Sequence, residues 1–136
     1  MNRFRLQLQD ATHTESFDDV VSFVGEDRSG SFSIWAGHAR MMTALVFGLA
    51  RFRCAGQGWE YIALPGGIVY VADNTLSIST RRYLRDSDYE RILVQLEEQL
   101  LREEESLHDM KESLQRMEEE VLKRLWRLGH AGGLGV

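Results

Sequence analysis

Histidines, a lone cysteine and runs of carboxylates are the residues of this 136-residue chain whose types could do chemistry. His13, His38, His108 and His130 lie far apart, and none has the His-x-x-x-His or His-Glu-x-x-His spacing that sets two ligands on one helical face. Surface or packing roles are expected for them, and no metal site. Cys54, the single cysteine, excludes an internal disulfide and a zinc site built on thiolates, and it suits a reducing compartment. Glu103-Glu104-Glu105 and Glu118-Glu119-Glu120 read as a solvated helical face. No nucleophile elbow, phosphate-cradling loop or dinucleotide fingerprint is present. Catalysis by this chain alone is not expected, nor is a cofactor. Arg116, Lys123, Arg124 and Arg127 make the far end of a predicted helix basic. That charge complements a helix C-terminal dipole and would also suit an acidic partner surface.

The element carrying those charges runs from Asp86 to Leu128 without Gly or Pro. Leu93, Leu96, Leu100, Leu107, Met110, Leu114, Met117, Val121 and Leu128 recur on three-four spacing, interrupted only by Glu103 and Arg124. This predicts a narrow apolar seam on one helix or two coupled ones. A continuous helix would be roughly 60 Å long. Ser106-Leu107-His108-Asp109 could cap a second helix and so bend the element into a hairpin, but the heptad phase runs through it unchanged. Asp86-Ser87-Asp88 supplies the N-terminal cap and negative charge.

Ahead of the helix the pattern is β. Phe4, Leu6 and Leu8 alternate with polar residues, and Phe17 to Val24 is rich in β-branched and aromatic residues. Gly25 to Gly30 reads as a turn, followed by short strands around Phe32 and Ile34, Leu49 to Cys54, Trp59 to Leu64, Ile68 to Val71, and Leu76 to Thr80. Met41 to Phe47 is ambiguous by period. Arg81 to Arg85 reads as a short basic joint. Short strands at this spacing predict an antiparallel sandwich or barrel. The fold class is α+β: a β-sandwich at 1–85, a long helix or helical hairpin at 86–130, and a flexible Gly-rich tail at 131–136.

Net charge is −5, with residues 1–85 near neutral and the helical segment carrying the acidic excess. This argues against a nucleic-acid partner. No N-terminal stretch has a signal-peptide pattern and none approaches the apolar length of a membrane span, so the chain is expected to be soluble, reaching a membrane only through a partner.

Two stretches, in order, resemble the epsilon subunit of F-type ATP synthases. GEDRSGSFSIWAGHARMMTAL (Gly25 to Leu45) is similar to the family's glycine turn, short strand and GHAPLLTAL-type loop, and LPGGIVYVADNTLSI (Leu64 to Ile78) to its SGGxxEVxDNxVTVL-type segment. Ala36 and Arg40 stand where the family pattern has prolines, and no Asp-x-x-Arg-Ala element for ATP binding is found. The charged Glu/Arg/Leu-rich helix looks more like that of the alternate, often sodium-translocating, F-type ATPases.

The resemblance implies a non-catalytic central-stalk subunit that couples gamma to the membrane rotor ring. It would sit peripherally on the cytoplasmic face of the bacterial inner membrane. Ser31, Phe32, His38, Arg40, Met41 and Met42 match the region facing ring and gamma. The helix would act as a brake on ATP hydrolysis, with Lys123, Arg124 and Arg127 contacting a catalytic beta subunit. The alternative reading is a homo-oligomeric adaptor, a β-sandwich displayed on a coiled coil.

Overall fold

In β1 (Phe4–Gln9) the expected alternation holds, with Phe4, Leu6 and Leu8 buried and Arg5 exposed. The structure, a computed structural model, describes residues 2–134, with side chains through Gly129. The His130 side chain, and all of the expected tail beyond the backbone of Leu134, lie outside the described residues.

The second strand is longer than its pattern suggested. β2 (Thr14–Asp27) begins three residues before Phe17 and continues through Gly25, so only Arg28 and Ser29 turn into β3 (Gly30–Ile34). The reading of Gly25 to Gly30 as one turn is corrected accordingly. Gly25 is a packing position: a Cβ there would meet Leu45 Cδ2 at 3.0 Å and Phe32 Cζ at 3.1 Å. Along its first half β2 pairs with β1; along its second it pairs with β3 on one side and β5 (Gly48–Cys54) on the other. Both registers shift beside Val20, between Phe4 and Leu6 against β1 and between Val20 and Ser22 against β5. Such bulges bend a strand and increase its twist, which lets one strand serve both layers of a sandwich.

The remaining strands are β4 (Met41–Leu45), β6 (Trp59–Leu64), β7 (Gly67–Ala72), β8 (Thr75–Ser79) and β9 (Leu84–Asp86). Their order is β4-β7-β8-β1-β2-β5-β6-β9, with β3 beside β2. β8 runs parallel to β1, and the other strand pairs are antiparallel. Inward residues from both layers, including Leu6, Phe23, Phe52, Ile62, Val69 and Leu76, make one core that is fully closed to water. The basic joint is also corrected: Tyr83 is buried in that core and Leu84–Asp86 is a strand on β6. Charge-based reading missed it because Arg82 and Arg85 flank the one large apolar ring.

Asp88 caps the helix by accepting from the Arg91 backbone N at 3.1 Å, and Asp86 pairs with the Arg91 guanidinium at 2.7 Å. α1 (Tyr89–Gln95) passes into a π-helical turn, Leu96–Leu101, and then α2 (Arg102–Leu134), with no non-helical residue between them. The segment is therefore one long helix, and Ser106 to Asp109 makes no bend. Ile92 and Leu100 are fully buried with Ala63 of β6, alongside Leu49, Leu84 and Leu96. In a regular α-helix at about 100° per residue, the four-residue steps from Ile92 to Leu96 to Leu100 would drift sideways. The wider π-turn, with its i→i+5 bonds, rotates less per residue and returns Leu100 to the buried line. Two compact units result, Met1–Leu101 and Arg102–Val136, so the first helical turns belong with the sandwich.

Candidate interaction surface

β4 and β7 pair at one sheet edge with Met42 opposite Tyr70 and Ala44 opposite Ile68. Met41, Val69 and Val71 face the core, so the alternation drives Met42, Ile68 and Tyr70 outward. Met42 is 67% exposed and Trp35, at the end of β3, 62%. Met42, Ile68 and Tyr70, left in water on the paired β4 and β7, mark a surface that a partner can cover, and Trp35 stands exposed apart from them after β3.

The segment between β3 and β4 is held by one residue. Asn74, in the β7–β8 turn, has φ of +57°, and Asp73 before it +52°, the left-handed pair that a tight hairpin requires. In that pose the Asn74 carboxamide accepts from the Gly37 backbone N at 2.9 Å and donates to the Arg3 carbonyl at 2.7 Å. The Arg5 backbone N donates to the Asn74 carbonyl at 3.2 Å. His38 closes the loop, its backbone N donating to the Trp35 carbonyl at 3.2 Å and its Nδ1 lying 2.7 Å from the Ala39 carbonyl. Asp27 ties the β2–β3 turn to β4: Thr43 Oγ1 donates to it at 2.8 Å and the Ser29 backbone N at 2.9 Å. The Ser29 and Thr43 bonds hold its carboxyl below the usual range.

The sequence-predicted residues divide across this geometry. His38, Arg40 and Met42 lie on the loop and the outer face of β4, while Met41 and Phe32 turn toward the core. Ser31 lies on the other layer, lining a cleft of about 250 Å³ with Glu26, Arg51, Tyr61 and Tyr89. Trp35, Ile68, Tyr70 and Asn74 were missed. Tyr70 and Ile68 become visible only once β7 is paired with β4, and Asn74 only once its hydrogen bonds to Gly37 and Arg3, distant in the chain, are seen; its residue type alone signals a turn.

Nothing at these positions assembles catalytic machinery. Thr12, His13 and Asp10 superficially suggest a relay, with Asp10 Oδ1 3.1 Å and Thr12 Oγ1 3.2 Å from the imidazole. Both contact the same nitrogen, Nδ1, so no proton could pass through the ring from one to the other. Asp10 also accepts the Thr12 and His13 backbone N–H groups, which makes the cluster a turn. Among the described residues no group of three or more His, Cys, Asp or Glu is placed to hold a metal ion. A second polar knot ties the start of β2 to β9. Tyr83 Oη donates to Glu15 at 2.6 Å, and Arg85 bridges Glu15 at 2.8 Å and Glu60 at 3.3 Å. Arg85 holds the Glu15 carboxyl below its ordinary value, and burial together with Glu15 pushes the Tyr83 phenol up.

On α2, Lys123, Arg124 and Arg127 are exposed, as is the seam from Leu107 to Leu128. A β-sandwich with an exposed apolar edge, followed by a helix exposed along its described length from Leu107 to Leu128, has the layout of a docking module. Residues 4–86 match the family described as ATP synthase, Delta/Epsilon chain, beta-sandwich domain. The chain is 30% identical over 109 residues to the ATP synthase epsilon chain of Wolbachia pipientis subsp. Culex pipiens, covering 80% of this chain and 87% of the relative. To the ATP synthase epsilon chain 2 of Cereibacter sphaeroides it is 23% identical over 111 residues, covering 81% and 76%. The fold is shared with chains in two cryo-EM structures. One is the central stalk/c-ring of the Tetrahymena thermophila mitochondrial ATP synthase (TM-score 0.52, 18% identity, 59% of this chain and 64% of that one). The other is the Euglena gracilis mitochondrial ATP synthase OSCP/F1/c-ring (TM-score 0.56, 21% identity, 68% and 61%). This chain belongs to the ATP synthase delta/epsilon family, as an epsilon subunit of F-type ATP synthase, and is by that identity a non-catalytic stalk subunit.

Proposed function

We propose that the sandwich couples the gamma subunit to the membrane rotor ring in ion-driven rotary ATP synthesis, and that the helix opposes ATP hydrolysis. The family match over residues 4–86 carries the reading, and the exposed Met42, Ile68 and Tyr70 on the paired β4 and β7 supply a surface that a partner would cover. The Trp35 to Arg40 loop, braced by Asn74, presents His38 and Arg40 beside that surface. Phe32 and Met41 support the proposed contact region by holding its backbone against the core, while Ser31, in the cleft on the other layer, falls outside it. In a bacterium the subunit would lie on the cytoplasmic face of the inner membrane. Lys123, Arg124 and Arg127 are the proposed contacts with a catalytic beta subunit, since their charge suits an acidic surface.

The test is truncation within the assembled ATPase. The cut belongs after Leu101, because an earlier one would strip Ile92 and Leu100 from β6 and confound the result with misfolding. A complex carrying residues 1–101 should assemble and hydrolyse ATP faster than the full-length one. Unchanged hydrolysis removes the brake, and failure to assemble with gamma removes the proposed coupling through gamma. The adaptor alternative predicts a tight dimer on sedimentation of the isolated chain; the stalk reading predicts a monomer.

A further inference from the structure

The apolar surface of α2 changes character along its length. At about 100° per residue, Leu107, Met110, Leu114 and Met117 fall within an arc of roughly 80°, a seam the width of one partner helix. Over the next two turns Leu128, Val121, Leu125, Leu122 and Trp126 spread across roughly 160°. All five are more than half exposed. The opposite arc holds Lys123, Arg127 and Arg124, and no acidic residue lies between Val121 and Gly129; in the turns before, the same side carries Glu112, Glu119 and Glu120 around Arg116, so the basic arc is confined to the last two turns. Trp126 stands at one border of the apolar arc beside Lys123, and Leu128 at the other beside Arg124.

We propose that the Val121 to Leu128 end of α2 docks on an anionic lipid surface. A face this broad is wider than a coiled-coil seam, and its flanking charges are of one sign rather than the alternating signs that set helix pairing. Half apolar, half basic, with tryptophan at the boundary, it has the layout of a helix lying in the headgroup region. There Leu and Trp enter the acyl boundary while Lys and Arg remain among the phosphates. The inference goes beyond the stalk role of the sandwich, which it leaves untouched, and gives Lys123, Arg124 and Arg127 a headgroup surface in place of the beta-subunit contact proposed above, so binding here would count against that contact.

The experiment uses the purified full-length chain with large unilamellar vesicles, of phosphatidylcholine alone or with an equal part of phosphatidylglycerol. Cosedimentation is expected with the anionic vesicles only, and release at high salt. Each basic residue near such a surface is worth about a factor of five. The triple variant Lys123→Gln, Arg124→Gln, Arg127→Gln should therefore partition about 100-fold more weakly. In a Trp35→Phe, Trp59→Phe background, the emission of Trp126 should shift to the blue on binding. A control pair on the sandwich, Arg51→Gln and Arg53→Gln, should leave partitioning unchanged. Lack of binding overturns the proposal and leaves the basic arc to an acidic protein surface. Equal binding to neutral vesicles, or binding indifferent to the triple variant, overturns it as well.

Discussion

Asn74 is the residue through which a local sequence signal becomes an interaction surface, and replacing it separates two physical effects. Its side chain makes hydrogen bonds at 2.9 and 2.7 Å to the backbones of Gly37 and Arg3, and its own backbone sits at φ +57°. Both bonds are at an exposed turn where water competes, so each contributes about 0.5 kcal/mol, the low end of the usual range. Forcing alanine into the left-handed region costs about 1 kcal/mol more. Asn74→Ala should therefore lower unfolding free energy by about 2 kcal/mol. Asn74→Gly tolerates the dihedral and should lose only about 1 kcal/mol, the two bonds. Urea denaturation of both variants gives the totals. Amide hydrogen exchange at Gly37 and His38 reports the loop itself, and should quicken in both variants alike, since both lose the clamp. Equal stability of Asn74→Gly and the parent, with exchange at Gly37 unaltered, would refute the clamp and leave the turn dihedral as the residue's whole contribution.

Two further perturbations probe the packing behind that surface. Ile92→Ala opens a cavity between α1 and β6, where Ile92 is fully buried, and should cost about 3 kcal/mol with faster exchange across Tyr89–Gln95. A loss below about 1 kcal/mol would mean the helix start is not bound to the sheet as described. Glu15 has its carboxyl pKa lowered from 4.5, chiefly by Arg85, so its stabilising contribution is complete above pH 4.5 and is lost as pH falls below it. Because the pair is partly exposed, Glu15→Gln should cost about 1 kcal/mol at pH 7. The variant should also narrow the stability difference between pH 7 and acid, measured by urea midpoints; an unchanged difference would place the acid sensitivity elsewhere, Asp86 being the next candidate, since its pairing with Arg91 lowers it to about 2.

Much of this architecture was readable because period is a local property. Alternation marked β1, β5 and β8, and the three-four spacing marked the helical segment, while the choice between one continuous helix and a hairpin at Ser106 to Asp109 stayed open until the structure showed it unbroken. The Asp88 cap was likewise explicit in residue types. The surface was less so. Met42, His38 and Arg40 were singled out from a linear resemblance, while Trp35, Ile68 and Tyr70 went unnoticed because an exposed apolar residue is defined by what fails to cover it.

What the sequence by itself determined is therefore the kind of each element, its caps, and the family to which the β module belongs. These follow from side-chain period, dihedral preference and ordered motifs, all carried within a few residues. Only the tertiary structure decided which strands meet: the parallel pairing of β8 with β1, the bend of β2 through both layers, and Gly25 as a packing site instead of a turn. It alone showed that Tyr83 completes the core and that Ile92 and Leu100, brought into line by a π-turn, bind the helix start to β6. Those choices depend on contacts between residues distant in the chain, whose energies no local window contains.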